Sequence, residues 1–253
     1  MSTHEQYEGR VAVVTGASRG LGAGLAARFA ERGVRLGLCA RRQPDPPPAA
    51  DPDAVVTAAV DVADPDAVER FAATVAERLG PIDLWVNNAG VLEPIVPLRD
   101  AEPAALEAHV RTNVLGVLYG SRVYARHVRA HPGRGGVLVN VSSGAATSAY
   151  AGWSAYCASK AAVDQLTRVV AVEEADAGLR AYAVAPGVVD TDMQAAIRAT
   201  TPDVFPAVER FRRMAETGAF NEPDWVADHL LALAWDPGAA PPDVVWRVPD
   251  QPR

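Results

Sequence analysis

The stretch that most constrains this chain is Arg10 to Gly33, where a short β-branched run, RVAVV (Arg10–Val14), breaks into TGASRGLG (Thr15–Gly22) and passes into the helical pattern GLAARFAERG. A buried strand that turns through glycines straight into a helix is the connection of a parallel α/β sheet. The same turn makes a place for an anion. Gly16 permits the tight turn, Gly20 and Gly22 let backbone and helix approach a pyrophosphate, and the helix N-terminus presents unpaired N–H groups at its positive end. Ser18, Arg19 and Leu21 share the turn and join the glycines as candidate cofactor contacts. An ordinary βα connection also uses glycine, so the turn alone is a weak signal.

Strands and helices alternate through the rest of the chain. Val34–Ala40 reads as a second strand ending in Arg41 and Arg42. An acidic residue there holds the ribose 2′-hydroxyl of NAD, whereas arginine accommodates a 2′-phosphate, so the expected cofactor is NADPH, with Arg19 as a further phosphate partner. Gln43–Asp53, QPDPPPAADPD, cannot be a helix because proline removes donors and clashes with the preceding turn. An extended loop over the adenosine end is expected in place of the usual crossover helix. Ala54–Val60 is a third strand, with Asp61 and Val62 placed to touch the adenine, and Asp64 and Gly80 bracket a helix over Pro65–Leu79. Ile82–Val86 runs into NNAG, whose Asn88, Ala89 and Gly90 face the ligand end of a sheet.

A helical pattern from about Pro103 to Ala130 carries Asn113, and Val137–Val141 ends in Ser142 and Ser143. A helix running to about Ala175, a strand over Arg180–Ala185, a last helix over Pro223–Ala234 and a strand over Val244–Val248 complete the order. Between them, Pro186-Gly187 opens an excursion, about 188–221, that reads as two short helices in a covering lid. The expectation is a single doubly wound, Rossmann-type parallel sheet of about seven strands over residues 1–253.

Composition narrows the partners. A net charge of -7 argues against nucleic acid and anionic membranes, which want a basic face. The two cysteines and five histidines fit no metal or redox spacing, so metal-free chemistry in a reduced compartment is expected. The polar start MSTHEQYEGR lacks the apolar segment of a signal peptide, and no apolar run is long enough for a bilayer, which reads as cytoplasmic.

The chemistry centres on GWSAYCASKAA, Gly152–Ala162. Tyr156 and Lys160, four residues apart, share one face of a helix. A neighbouring ammonium favours phenolate, so Lys160 is expected to lower the tyrosine pKa and make it a usable general acid or base. A chance pairing of packed aromatic and solvated lysine has the same spacing.

Taken together, TGASRGLG, NNAG, Asn113, the serine pair, YCASK and the PG turn resemble the short-chain dehydrogenase/reductase family over almost the whole chain. The resemblance implies a tetrad of Asn113, Ser143, Tyr156 and Lys160. Tyr156 would protonate a carbonyl oxygen, Ser143 would hold that oxygen, Lys160 would bind the nicotinamide ribose, and Asn113 would hold a relay water. The backbone of Val189 and the hydroxyl of Thr191 would orient the carboxamide, with Pro186 and Gly187 as further cofactor contacts. PGVVDTDMQ, Phe205-Pro206 and Val226-Ala227 are similar to the sepiapterin reductase and benzil reductase subgroup, which reduces carbonyls and vicinal dicarbonyls with NADPH. Arg247 stands close to where pterin-binding members carry an acidic anchor, which disfavours a pterin. Tyr150, Trp153, Met193 and Phe205, with Ser143 and Tyr156, are the expected substrate walls. The family also implies a homodimer or homotetramer. Two other functions share these residues: an NAD-dependent alcohol dehydrogenase, and a silent dinucleotide-binding regulator.

Overall fold

The computed structural model describes residues 7–236 and 238–252. Seven parallel strands form one sheet: β1 (Val11–Thr15), β2 (Arg35–Ala40), β3 (Val55–Ala59), β4 (Leu84–Asn87), β5 (Gly136–Val141), β6 (Leu179–Ala185) and β7 (Val245–Arg247). Their order is β3-β2-β1-β4-β5-β6-β7, so the chain reverses its direction of travel between β1 and β4. A doubly wound sheet opens a crevice at that switch point, beyond the carboxyl ends of the strands.

Both faces are covered. Ala12 and Val14 of β1 pack with Leu25 and Phe29 of α1 (Gly20–Glu31) and with Leu230 and Leu231 of α8 (Pro223–Trp235). Val11 and Val13 point the other way, into a core shared with α2 (Pro65–Leu79), α4 (Gly116–Arg129) and α5 (Ser154–Glu173). Burial on both faces explains why these strands are apolar without alternation. A third apolar cluster lies away from the sheet, where α6 (Asp192–Arg198) and α7 (Val208–Glu216) close over the loop before α5. These two are the short helices expected in segment 188–221.

As the prolines require, no α-helix connects β2 to β3; a single 3-10 turn, Pro52–Ala54, is capped by Asp51, whose carboxylate accepts from the Asp53 N–H. The pattern around Asn113 is more broken than expected. Helix α3 (Pro103–Val110) passes through a π turn, Arg111–Leu115, before α4 begins. The extra residue in that turn seats Asn113 against the backbone after NNAG, and π turns of this kind gather at functional sites.

Under the crevice runs a ladder of buried polar side chains. Trp85 Nε1 donates to Asn87 Oδ1 (2.8 Å), Asn87 Nδ2 to Asn140 Oδ1 (2.8 Å), and Asn140 Nδ2 to Thr167 Oγ1 (2.9 Å). Among the described residues no helix is long and apolar enough to cross a membrane.

Close approach at the switch point is the most exacting feature of the fold. A Cβ on Gly22 would lie 2.3 Å from the Gly16 carbonyl oxygen and 2.5 Å from Asn88 Nδ2. Gly22→Ala should therefore destabilise the protein by about 1–3 kcal/mol through overpacking, read as a lower urea midpoint at unchanged slope.

Candidate active site at the carboxyl edge of the sheet

Thr15, the last residue of β1, organises the edge. Its hydroxyl accepts the N–H groups of Asn88 (3.0 Å) and Ala89 (3.1 Å), while Asn88 Nδ2 donates back to the Thr15 carbonyl (2.9 Å). NNAG and the glycine turn are thereby held as one surface. Asn87 points down into the buried ladder, and Asn88 is spent on the turn itself. The N-terminus of α1 has no side-chain cap and no acidic residue in its first turn, so its amides are free for an anion. Gly20 adopts φ +55°, and a Cβ there would press on the Thr191 methyl at 3.2 Å. Segment 188–221 therefore starts directly against the glycine turn, beside buried Val189 and the Pro186-Gly187 bend. Ser18 and Leu21 belong to the same turn.

Arg41 and Arg42 are exposed at the end of β2, and neither forms an ion pair among the described residues. Arg19 differs from the expectation: its guanidinium pairs with Asp192 of the lid at 3.1 Å, both side chains being largely exposed. Such a pair contributes little and yields easily to a stronger anion. Asp61 is turned into its own loop, accepting from the Ala63 N–H (2.9 Å), next to buried Val62.

The structure brings the four tetrad residues together. Tyr156 and Lys160 lie one turn apart on α5, both buried, with Lys160 Nζ 5.6 Å from the centre of the phenol ring. Lys160 Nζ donates to the Val141 carbonyl at the end of β5 (2.7 Å). The Ser143 hydroxyl is hydrogen-bonded to the Tyr156 hydroxyl and also caps a short turn through the Ala145 N–H. A Cβ on Gly90 would lie 3.5 Å from Asn113 Oδ1 and 3.9 Å from Lys160 Nζ, so Gly90 keeps the space above both open.

Two expectations are corrected. Burial pushes the Tyr156 pKa up, outweighing the Ser143 hydrogen bond that favours phenolate, so the lysine does not lower it here. The same burial lowers Lys160 to about 8, with only Asp164 opposing. The Asn113 side chain is committed to protein rather than open to a water: Oδ1 accepts the Val91 N–H and Nδ2 donates to the Val91 carbonyl, each at 2.8 Å.

The expected substrate walls cluster. Trp153 stacks on Phe205 (centroids 4.5 Å apart) and meets Tyr156 edge-on (5.5 Å), with Tyr150, Met193 and Phe211 alongside. Phe205 is wholly buried and backs Trp153, whereas Tyr150 and Met193 are partly open. Arg247 is exposed and ion-paired to Asp250 at 2.9 Å.

Sequence reasoning passed over Thr15, His109, Asp164 and Asn221. His109 stands four residues before Asn113 and Asp164 four after Lys160, each on the same helical face as a residue singled out, which was the available signal. Asp164 accepts from the Ser142 hydroxyl, and Asn221 Nδ2 donates to the Pro186 carbonyl (2.9 Å), fixing the PG bend.

A family description, short chain dehydrogenase, matches residues 10–202. The chain belongs to the short-chain dehydrogenase family. Benzil reductase ((S)-benzoin forming) of Bacillus subtilis (strain 168) is 34% identical over 228 residues, covering 87% of this chain and 91% of that protein. Cis-4-hydroxycyclohexanecarboxylate dehydrogenase of Sinomonas cyclohexanicum is 36% identical over 237 residues, covering 92% of each. Two solved structures superpose closely. KRED1-Pglu has a TM-score of 0.79 at 30% identity, covering 94% of this chain and 99% of its own. The 3-ketoacyl-(acyl-carrier-protein) reductase from Brucella melitensis, complexed with NADH, has a TM-score of 0.79 at 27% identity, covering 96% and 97%. This short-chain dehydrogenase is an NAD(P)H-dependent oxidoreductase, and the expected likeness to benzil reductases is found.

The lowered Lys160 pKa has a measurable consequence. Between about pH 8 and the ordinary lysine value near 10.4, the unfolded chain binds a proton that the folded one does not, so stability rises with pH across that window. Relative to Lys160→Met, the wild type should gain on the order of 3 kcal/mol from pH 7.5 to 10.5 in urea unfolding. A constant difference would place Lys160 at its ordinary pKa.

Proposed function

We propose that this enzyme reduces a ketone or vicinal dicarbonyl to an alcohol with NADPH, Tyr156 acting as general acid. The observation that carries this reading is the Tyr156 hydroxyl, buried and hydrogen-bonded to Ser143, one helical turn from Lys160, whose Nζ lies against Gly90. A tyrosine kept protonated by burial suits reduction, because an alkoxide forming beside it is basic enough to take its proton. Ser143 fixes the substrate oxygen within reach, and Lys160, near 8, can both hold a ribose hydroxyl and return a proton to the phenol. When bound, the nicotinamide supplies hydride to the carbonyl carbon. The uncapped α1 N-terminus suits its pyrophosphate.

NADPH rather than NADH is supported by Arg41 and Arg42, exposed where a carboxylate would favour NAD, with Arg19 held only by a surface pair. The dicarbonyl reading is supported by the aromatic wall of Trp153 and Tyr150 and by the benzil reductase relative. We place the enzyme in the cytoplasm as a homodimer or homotetramer; exposed Val110, Leu118, Val169 and Val172 on the helices bearing the tetrad support assembly.

The test is oxidation of NADPH and NADH against a panel holding a vicinal diaryl diketone, an aliphatic diketone and a pterin. Diketone turnover with NADPH is expected, and turnover confined to alcohols with NAD would overturn the reading. Tyr156→Phe should lower kcat by at least a hundredfold with NADPH affinity within about twofold. Arg41→Ala should weaken NADPH by about 1.5–3 kcal/mol and leave NADH unchanged in fluorescence titration; equal losses would remove Arg41 from phosphate recognition.

A further inference from the structure

His109 is fully buried, yet neither the expected tetrad nor the cofactor turn uses it. Its Nδ1 lies 2.7 Å from the Glu93 carbonyl oxygen, its Nε2 lies 3.0 Å from both Asn113 Nδ2 and Ser159 Oγ, and its ring meets Tyr156 edge-on at 6.2 Å. The proton on this ring can be placed without further assumption. Glu93 offers a carbonyl, which only accepts, so Nδ1 carries the hydrogen. The Asn113 amide is oriented independently by Val91, whose N–H needs Oδ1 and whose carbonyl needs Nδ2. The second hydrogen of Nδ2 then points at Nε2, which must be the acceptor. The Ser159 hydroxyl has one hydrogen and two acceptors in reach, Nε2 at 3.0 Å and the Tyr156 carbonyl at 2.9 Å; given to Nε2, it links the ring to α5.

We propose that His109 is a positioning residue of the active site: with Nδ1 donating and Nε2 accepting, it clamps the Asn113 amide onto Val91 and ties the loop after NNAG to the helix that carries Tyr156 and Lys160. The inference rests on the carbonyl-reductase reading for its kinetic consequences, though not for the arrangement itself. Three segments meet on one imidazole: the Val91–Glu93 loop that follows the cofactor-facing Gly90, the π turn, and α5 at Ser159. Remove the ring and the loop loses the Glu93 anchor, while the second hydrogen of Asn113 Nδ2 keeps only the long 3.5 Å contact to Ser159 Oγ in a buried site. Protonate it and Nε2–H faces the Asn113 N–H, donor against donor, and turns to the Ser159 oxygen, so the amide loses its clamp. Flipping the amide offers no escape, because Val91 would then meet oxygen with oxygen and nitrogen with nitrogen.

The groups facing the ring are Lys160 and Tyr156 on α5 and Glu93 in the loop. Burial, the largest influence, and the Lys160 ammonium both hold the imidazole below its ordinary value, against the Glu93 carbonyl and carboxylate. The active form is therefore the neutral ring, and turnover falls as acid charges it at a pH below about 6.5.

The experiment compares His109→Gln, His109→Leu and wild type in kcat and KM profiles from pH 5 to 8, with selective ring-nitrogen NMR of the wild type. Glutamine supplies an amide oxygen near the Nε2 position and takes up no proton. It should keep kcat within about threefold at pH 7.5 and lose the acid fall. Leucine should lower kcat tenfold or more, with the KM for NADPH within about threefold, a split that general destabilisation would not give. If the leucine variant does not fold, the glutamine profile alone decides. The NMR spectrum should show a neutral ring protonated at Nδ1. Leucine with wild-type kcat, an unchanged acid fall in the glutamine variant, or a ring protonated at Nε2 each overturns the assignment. A wild type that turns over no carbonyl with either nucleotide overturns the reductase reading instead, and the spectrum then judges His109 by itself.

Discussion

The buried Thr15 hydroxyl is the small interaction on which the carboxyl edge depends. By accepting two N–H bonds from the loop that follows the neighbouring strand β4, seventy-odd residues away in sequence, it sets how far NNAG stands from the glycine turn. That spacing leaves room for backbone and nothing larger, which is why Gly16 and Gly22 tolerate no side chain. The positions of α1, of Gly90 and of the lid at Thr191 all follow from it. A short hydrogen-bonded contact between two segments thus does what a cavity lined by large side chains could not: it fixes the uncapped start of α1 without filling the space before it.

Electrostatically the site is governed by burial more than by pairing. Tyr156 and Lys160 are both driven toward their neutral forms, one upward and one downward. Asp164, whose own pKa is raised chiefly by burial, is the nearest compensating carboxylate and shares α5 with the lysine. On the proposed reading, a neutral phenol beside a lysine lowered to about 8 can hand over a proton and recover it with little change in net charge, which low-dielectric surroundings favour.

Much of this was legible in the chain. Strand, glycine turn and helix predict the parallel sheet because a βα connection of this length has few other solutions, and the prolines of Gln43–Asp53 rule out a helix whatever the tertiary context. Tyr156 and Lys160 could be read from their spacing on one helix, whereas Asn113 and Ser143 joined them only through the family resemblance. What stayed hidden was contact between distant elements. No local pattern says that Arg19 reaches Asp192, that the Asn113 amide is consumed by Val91, or that burial outweighs the lysine at Tyr156. His109 was visible only as a polar residue on the face of Asn113, and its meaning depends on a loop and a helix that sequence does not bring together.

The ladder from Trp85 through Asn87 and Asn140 to Thr167 works as a register key for assembly. Asn87 and Asn140 are directly paired between β4 and β5, and the Asn140 amide continues into α5. Sliding β5 by one residue would turn Asn140 to the opposite face and put valine against the Asn87 amide, which would lose its shortest acceptor and keep only Ser121 Oγ at 3.2 Å and the Val117 carbonyl at 3.4 Å. The apolar neighbours Val137 to Val141 would tolerate that slip far better on their own. Two asparagines in an oily sheet therefore count for less as glue than as proofreading, penalising near-native pairings that hydrophobic burial alone could not tell from the right one.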